Sequence, residues 1–228
     1  MALSGTYAFN PSLGELGLYA YGMCGVRRTA ITQEHMADLN MAANMVLAEW
    51  SAMGVNLWQV VLTTTTLVQG TATYTVDPAT IMILDAYVTV GTGTTATDRI
   101  ILPVSRSEYA TYPNKLQQGF PSVYWFDRLL SPTITLYQVP DGNEVSLSYY
   151  SVKQIMDASA GAQQVDIPVY WLKAFSRALA AELAIIWAPE RAEALAAAAK
   201  ESYAVSAAQN IEDVPTYITP MMSGYWRT

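Results

Sequence analysis

The chain has 228 residues, 52% of them apolar and 14% charged, with a formal net charge of −7. A chain of this length buries roughly 70% of its unfolded surface in one large domain or two small ones, and this composition excludes disorder. The acidity excludes unassisted binding to nucleic-acid phosphates, and the single cysteine, Cys24, excludes an internal disulfide framework.

The opening residues, Met1-Ala2-Leu3-Ser4-Gly5, hold no basic run ahead of an apolar one, so no signal peptide is expected. Ser12-Leu13-Gly14-Glu15 has capping-box spacing and predicts a short helix to about Met23, ended by Gly25. Gly14, Gly17 and Gly22 each weaken it by roughly 1 kcal/mol, a cost that close packing on a partner helix would explain. Thr32 predicts the N-cap of a stronger helix. Its apolar face is Met36, Leu39, Ala43, Val46, Leu47, Trp50 and Met53, and Gly54 stops it. The two segments read as an antiparallel helical pair.

From Leu57 the period changes from helical to alternating. Trp58 to Thr65 and Thr71 to Val76 read as strands joined near Gln69-Gly70, followed by Ile81 to Val90 and Ile100 to Val104. Ser105-Arg106-Ser107-Glu108 repeats the capping-box spacing and predicts a small helix finished before Pro113. Phe120 to Val152 then holds Ser122 to Phe126 and two alternating runs around Asp141-Gly142, which read as a hairpin. About six strands result, enough for a small sandwich or a curled sheet. Between Asn56 and Val104 only Asp77, Asp85, Asp98 and Arg99 are charged, so this β region needs its edges covered, for which neighbouring copies in an assembly would serve.

Asp157 to Gln164 is a small-residue linker. Pro168 opens the next helix, with Leu172, Phe175, Leu179, Leu183 and Ile186 as its apolar face. Its window, Val169 to Ala188, carries Lys173, Arg177 and Glu182, so it reads as a packed helix and not a membrane span; the product is expected to be soluble and made in the cytosol. Pro189 ends it, and an Ala-rich helix runs to about Gln209. The tail that follows holds Ile211, Val214, Tyr217, Ile218, Met221, Met222, Tyr225 and Trp226 among few charges, which suits a segment that lies on another surface. The fold class is therefore α+β: helical segments lie on both sides of a β-rich middle, so the chain leaves one helical region and later returns to it.

Catalytic chemistry finds little support. His35, the only histidine, is expected on the surface, off the apolar face of its helix, and no Gly-x-Ser-x-Gly elbow exists. Cys24 with His35 cannot supply a structural zinc set, and Cys24 reads as a buried, inert thiol. Gly91-Thr92-Gly93-Thr94 lacks the lysine of a phosphate loop and reads as a hairpin tip. Asp127-Arg128 reads as a turn-fixing ion pair. Glu15, Asp85, Asp127 and Glu182 could be paired as a glycosidase couple only by a fold that brings two of them together. The reading is a non-enzyme with no cofactor and no metal. Arg27-Arg28 is the one basic doublet, too isolated for a nucleic-acid patch and suited to carboxylates of a neighbouring subunit.

The order of segments resembles the head-to-tail adaptors of tailed bacteriophages, called tail accessory or head-completion factors in short-tailed phages. The likeness begins in Gly25-Val26-Arg27-Arg28-Thr29 and Gly54-Val55-Asn56-Leu57-Trp58. It is clearest in Tyr124-Trp125-Phe126-Asp127-Arg128, Ser131-Pro132-Thr133 and Pro140-Asp141. Asp38, Asn40 and Asn44 depart from it, standing where the second helix of such adaptors is usually basic. The resemblance implies a bundle made from helices of both ends of the chain (1–56 with 165–209), an inserted β-rich domain (57–164), an extended docking tail (210–228), and structural roles for Trp125, Phe126, Asp127, Arg128, Pro132, Pro140 and Asp141. It also implies a ring of about twelve copies at the head-tail junction of the virion, bound to a portal protein above and a tail or nozzle protein below. DNA would pass through the lumen without sequence-specific binding, no membrane would be involved, and the tail from Ile211 would dock on the portal. The alternative is a recognition module of a phage tail or fibre, with Trp58, Tyr124, Trp125, Tyr149 and Tyr150 stacking on surface sugars.

Overall fold

The computed structural model describes residues 5–54, 56–159 and 161–211. Its helices are α1 (Leu13–Cys24), α2 (Gln33–Ala52), α3 (Arg106–Thr111), α4 (Leu172–Trp187) and α5 (Ala192–Ala207). Its strands are β1 (Val60–Thr66), β2 (Thr73–Thr75), β3 (Thr80–Val90), β4 (Thr97–Pro103), β5 (Val123–Asp127), β6 (Thr133–Tyr137) and β7 (Glu144–Lys153). The chain is thus α+β. Of the apolar tail residues only Ile211 is among those described; Val214, Tyr217, Ile218, Met221, Met222, Tyr225 and Trp226 lie outside them.

The local signals of the helices form as expected. Ser12 accepts from the Glu15 amide while the Glu15 carboxylate accepts from the Ser12 amide at 2.8 Å, and left-handed Gly25 closes α1. A Cβ on Gly17 would meet Leu39 Cδ2 at 2.2 Å, and one on Gly14 would meet the Gly161 carbonyl oxygen at 2.9 Å. Those two glycines permit close approach. Gly22 faces open space, and nothing in the structure explains it.

The expected α1–α2 pair is instead organised around α4, on which α1, α2 and α5 all pack. The reason lies in the α4 sequence. Leu172, Phe175, Leu179 and Leu183 are buried alongside Ala174, Ala180 and Ala184, so the helix is apolar on more than one side and its alanines let neighbours come near. One residue was misassigned: Ile186 is 63% exposed, because the buried arc runs through 180, 183 and 184 and leaves 185 and 186 outside it. Trp171, 1% exposed, sits at the centre of an aromatic cluster with Trp50 (4.9 Å between ring centroids), Trp58 (5.2 Å) and Tyr203 (5.3 Å). This joins α2, α5 and the entry to β1. The 157–164 linker is stitched down, with the Asn44 side chain holding both the amide (2.9 Å) and carbonyl (3.1 Å) of Ala158.

The strands form one seven-stranded curled sheet in the order β1-β7-β3-β4-β5-β6-β2. All neighbours are antiparallel except β4 and β5. Strand β4 turns the sheet over: Thr97 to Ile101 pair with β3, and Leu102 and Pro103 pair with β5. Irregular register between β3 and β7 adds to the curl. Leu147 and Tyr149 from one half and Ile134, Leu136 and Tyr124 from the other meet in a core distinct from the helical one.

The hairpin expected around Asp141-Gly142 does not exist, since β6 pairs with β5 and β2 while β7 pairs with β1 and β3. The turn itself is real. Asp141 accepts from the Asn143 amide at 3.0 Å, and the buried Glu144 carboxylate accepts from the Asp141 amide at 3.0 Å. The residues leading into it are already committed elsewhere. Val139 exchanges backbone bonds with Gln117 and Gly119, and the Pro140 carbonyl accepts from Gly70 at 3.0 Å. The turn therefore carries the chain from one half of the sheet to the other. Strands β1 and β2, joined through Gln69-Gly70, do not pair with each other and are the two opposite edges of the sheet.

Candidate functional site

A serine or cysteine nucleophile with a histidine base would have to use His35, and the structure corrects its placement. His35 is 7% exposed, stacked on Trp187 with centroids 3.8 Å apart, edge-on to Tyr21. Position 35 lies one turn ahead of Leu39 and so shares its phase. The ring replaces the usual glutamate of a capping box: its Nδ1 lies 2.7 Å from the Thr32 hydroxyl and 3.3 Å from the Thr32 amide. Trp187 in turn donates to Asp38 at 3.0 Å. The imidazole closes the N-terminus of α2 against the end of α4.

Cys24 is buried as expected. Its Sγ donates to the Ala180 carbonyl at 3.4 Å, and burial raises the thiol pKa, which disfavours the reactive thiolate. Glu15, Asp85, Asp127 and Glu182 fall on four elements: α1, β3, β5 and α4. Among the described residues no group of three or more His, Cys, Asp or Glu could hold a metal ion, and no helix is long and apolar enough to cross a membrane.

The aromatic residues offered as a sugar platform do not form one. Tyr124 and Tyr149 are 1% and 2% exposed, and burial pushes the Tyr124 hydroxyl up to about 12. Trp58 belongs to the helical cluster, and Trp125 is covered by the Tyr109 ring at 5.6 Å. Only Tyr150 of the five is exposed. Tyr124, Tyr149, Trp58 and Trp125 pack within the fold.

The residues carrying the family likeness build the β5–β6 hairpin and its surroundings. Asp127 pairs with Thr133 at its end. The carbonyl of buried Pro132 accepts from Val76 at 2.9 Å, tying in the edge strand β2, and Phe126 packs on the β core. Asp127 and Arg128 form no ion pair with each other; the ion pairs among the described residues are Lys153–Asp77 and Arg191–Glu190. Arg27 and Arg28 are exposed on a short turn and belong to neither.

What remains for function is surface. The tip between β5 and β6 presents Leu129 and Leu130, the latter 98% exposed; α2 presents Met41 and Met45; α4 presents Ile185 and Ile186. Sequence reading passed over these because an apolar residue in an amphipathic pattern is assumed to face inward. The one available signal was Leu129-Leu130, apolar residues inside a loop flanked by Arg128, Ser131 and Pro132. Strand β1 presents an edge without a single charge from Val60 to Thr66, and alternation turns the backbone groups of Leu62, Thr64 and Thr66 away from β7.

No curated relative matches the chain. The model of one family, the SU10 adaptor proteins, matches residues 26–222. A match from the Arg27-Arg28 turn through both cores and beyond α5 covers most of the sequence, and this protein accordingly belongs to the SU10 adaptor protein family, a family of phage head-tail adaptors.

Proposed function

We propose that the chain is a structural virion protein of the head-tail junction, which assembles as a ring on the portal, joins it to the tail or nozzle protein, and helps retain and conduct packaged DNA. The family match carries this reading. Two physical features support it. A ring of about twelve copies at −7 each carries roughly −84, a sign that repels DNA and lets it slide. The uncharged β1 edge and the exposed Leu129-Leu130, Met41-Met45 and Ile185-Ile186 pairs are surfaces that neighbouring subunits would cover. Arg27 and Arg28, exposed on their turn, would meet carboxylates of an adjacent copy. We assign 1–56 with 165–209 as a discontinuous helical bundle, 57–164 as the inserted β domain, and 210–228 as the segment that docks on the portal.

The test is co-sedimentation of the purified protein with its portal ring. The full chain is expected to co-sediment and a chain truncated after Gln209 to stay in the supernatant while keeping its circular dichroism. Failure of the full chain to bind at any ionic strength overturns the adaptor reading. Equal binding by the truncated chain overturns the assignment of the tail.

A further inference from the structure

Helix α5 spans Ala192–Ala207, yet its only buried residues are Ser202 and Ser206. The cause is its sequence: Ala196 to Ala199 supply helix propensity and almost no volume. Where α5 crosses α4, alanine faces alanine, and the space between α2, α4 and α5 stays open as a groove of about 490 Å³. Ala178, Ala181 and Ala199 line it together with Trp50, Met53 and Tyr203. Its charged residues are Glu49, Glu182 and Lys200, all exposed, for a local charge of −1.

We propose that in the free protein this groove holds residues 221–227 of the same chain, Met-Met-Ser-Gly-Tyr-Trp-Arg. Three observations select that occupant. First, the described chain ends near the groove: Asn210 accepts from the Leu57 amide at 3.0 Å, close in sequence to Met53, and Tyr203 lies about one turn of α5 and a short link upstream. Second, the tether reaches. Folding back from Ala207 to Ala199 covers about 12 Å along the helix, and ten extended residues from Ile211 to Met221 span up to about 33 Å. Third, the chemistry is complementary. Met221, Met222, Tyr225 and Trp226 offer flexible and flat apolar side chains to an alanine floor, and Arg227 brings the one positive charge to Glu49 and Glu182. A tether this short gives an effective concentration in the millimolar range, so modest contacts suffice.

This rests on the reading of the tail as a docking segment and adds where that segment resides before docking. A portal would have to displace it from the groove, and the free subunit would keep its most apolar residues covered until then.

The test uses the full chain without any portal. In a Cys24→Ser background, Ala199→Cys with Met222→Cys is expected to form an intramolecular disulfide at least tenfold faster than the control pair Thr94→Cys with Met222→Cys. The rate should not depend on protein concentration. Equal rates for the two pairs, or disulfide-linked dimers in place of the internal bridge, overturn the proposal. A second measurement needs no cysteine: Met222→Asp with Trp226→Asp should raise amide hydrogen exchange at least threefold in 196–203 of α5. Exchange unchanged from the parent chain also overturns it. Because no portal is present, either result leaves the co-sedimentation test of the adaptor reading independent.

Discussion

The helical and β regions of this protein are held by different means. In the helical region a single helix, α4, is the hub, and large rings at its start (Trp50, Trp58, Trp171, Tyr203) lock three elements at one point. In the β region no element is central. Seven strands share the load through backbone pairing, and the core beneath them spreads Tyr124 and Tyr149 among aliphatic side chains such as Val88, Ile134, Leu136 and Leu147 with no ring cluster at one point. Damage to a hub is concentrated, whereas damage to a ladder is spread along it.

The most severe way to break this contrast is Trp171→Ala. The side chain is 1% exposed and touches rings from α2, the turn before β1, and α5. Its removal is expected to cost about 4 kcal/mol. Hydrogen exchange resolves where the cost falls. If the two cores are separate cooperative units, exchange should rise in α1, α2, α4 and α5 and stay unchanged in β3 and β7. Equal loosening of both regions would show one cooperative unit and dissolve the distinction.

Two glycines of α1 sharpen it at closer range. Gly17→Ala places a methyl group where Leu39 Cδ2 now stands, 2.2 Å away, and should destabilise the chain by about 1–3 kcal/mol through overpacking. Gly22→Ala meets nothing within 4 Å and should stabilise it by about 1 kcal/mol through helix propensity. Urea denaturation of the two variants checks the sign. Matching signs would mean that the α1–α2 contact is softer than its geometry.

The same division governs what could be read from the sequence. Helix limits and the Ser12–Glu15 capping box are local: the residues that decide them lie within a turn or two of each other. At Ser105 the hydroxyl accepts from the Glu108 amide, which is half of the expected box, and the full box at Thr32 uses His35 in place of glutamate. His35 was misplaced, although it is in phase with Leu39 and Ala43, because histidine is polar on average and its Trp187 partner lies at the far end of α4. The strands were located but their partners were not. Period-two alternation marks a strand and is silent about which strand pairs with it, so Asp141-Gly142 was taken for a hairpin turn. Nothing near position 141 announces that Val139 and Pro140 are bound to Gln117, Gly119 and Gly70. The exposed apolar pairs stayed hidden for a related reason, since no residue near them in sequence or in the fold covers them.

The smallest expected effect separates the regions by charge. Arg191–Glu190, at 3.9 Å, joins sequence neighbours next to α5, whereas Lys153–Asp77, at 2.6 Å, ties the end of β7 to the turn before β3. The Lys153 ammonium, and after it the Ala79 amide, hold the Asp77 carboxyl below its ordinary value near 3.8. A carboxyl lowered on folding contributes stability that is present above the unfolded value and lost as pH falls through the folded one. Both side chains are partly exposed, so the contribution is about 0.5 kcal/mol. Asp77→Asn keeps the acceptor for Ala79 and removes only the charge. It should therefore cost that amount at pH 7, less in 1 M salt, and nothing once the pH is well below 3.8. A cost that persists in acid would assign the stabilisation to turn geometry instead of the ion pair. The β region would then hold together, as the helical region does among the described residues, without a contribution from an ion pair between its elements.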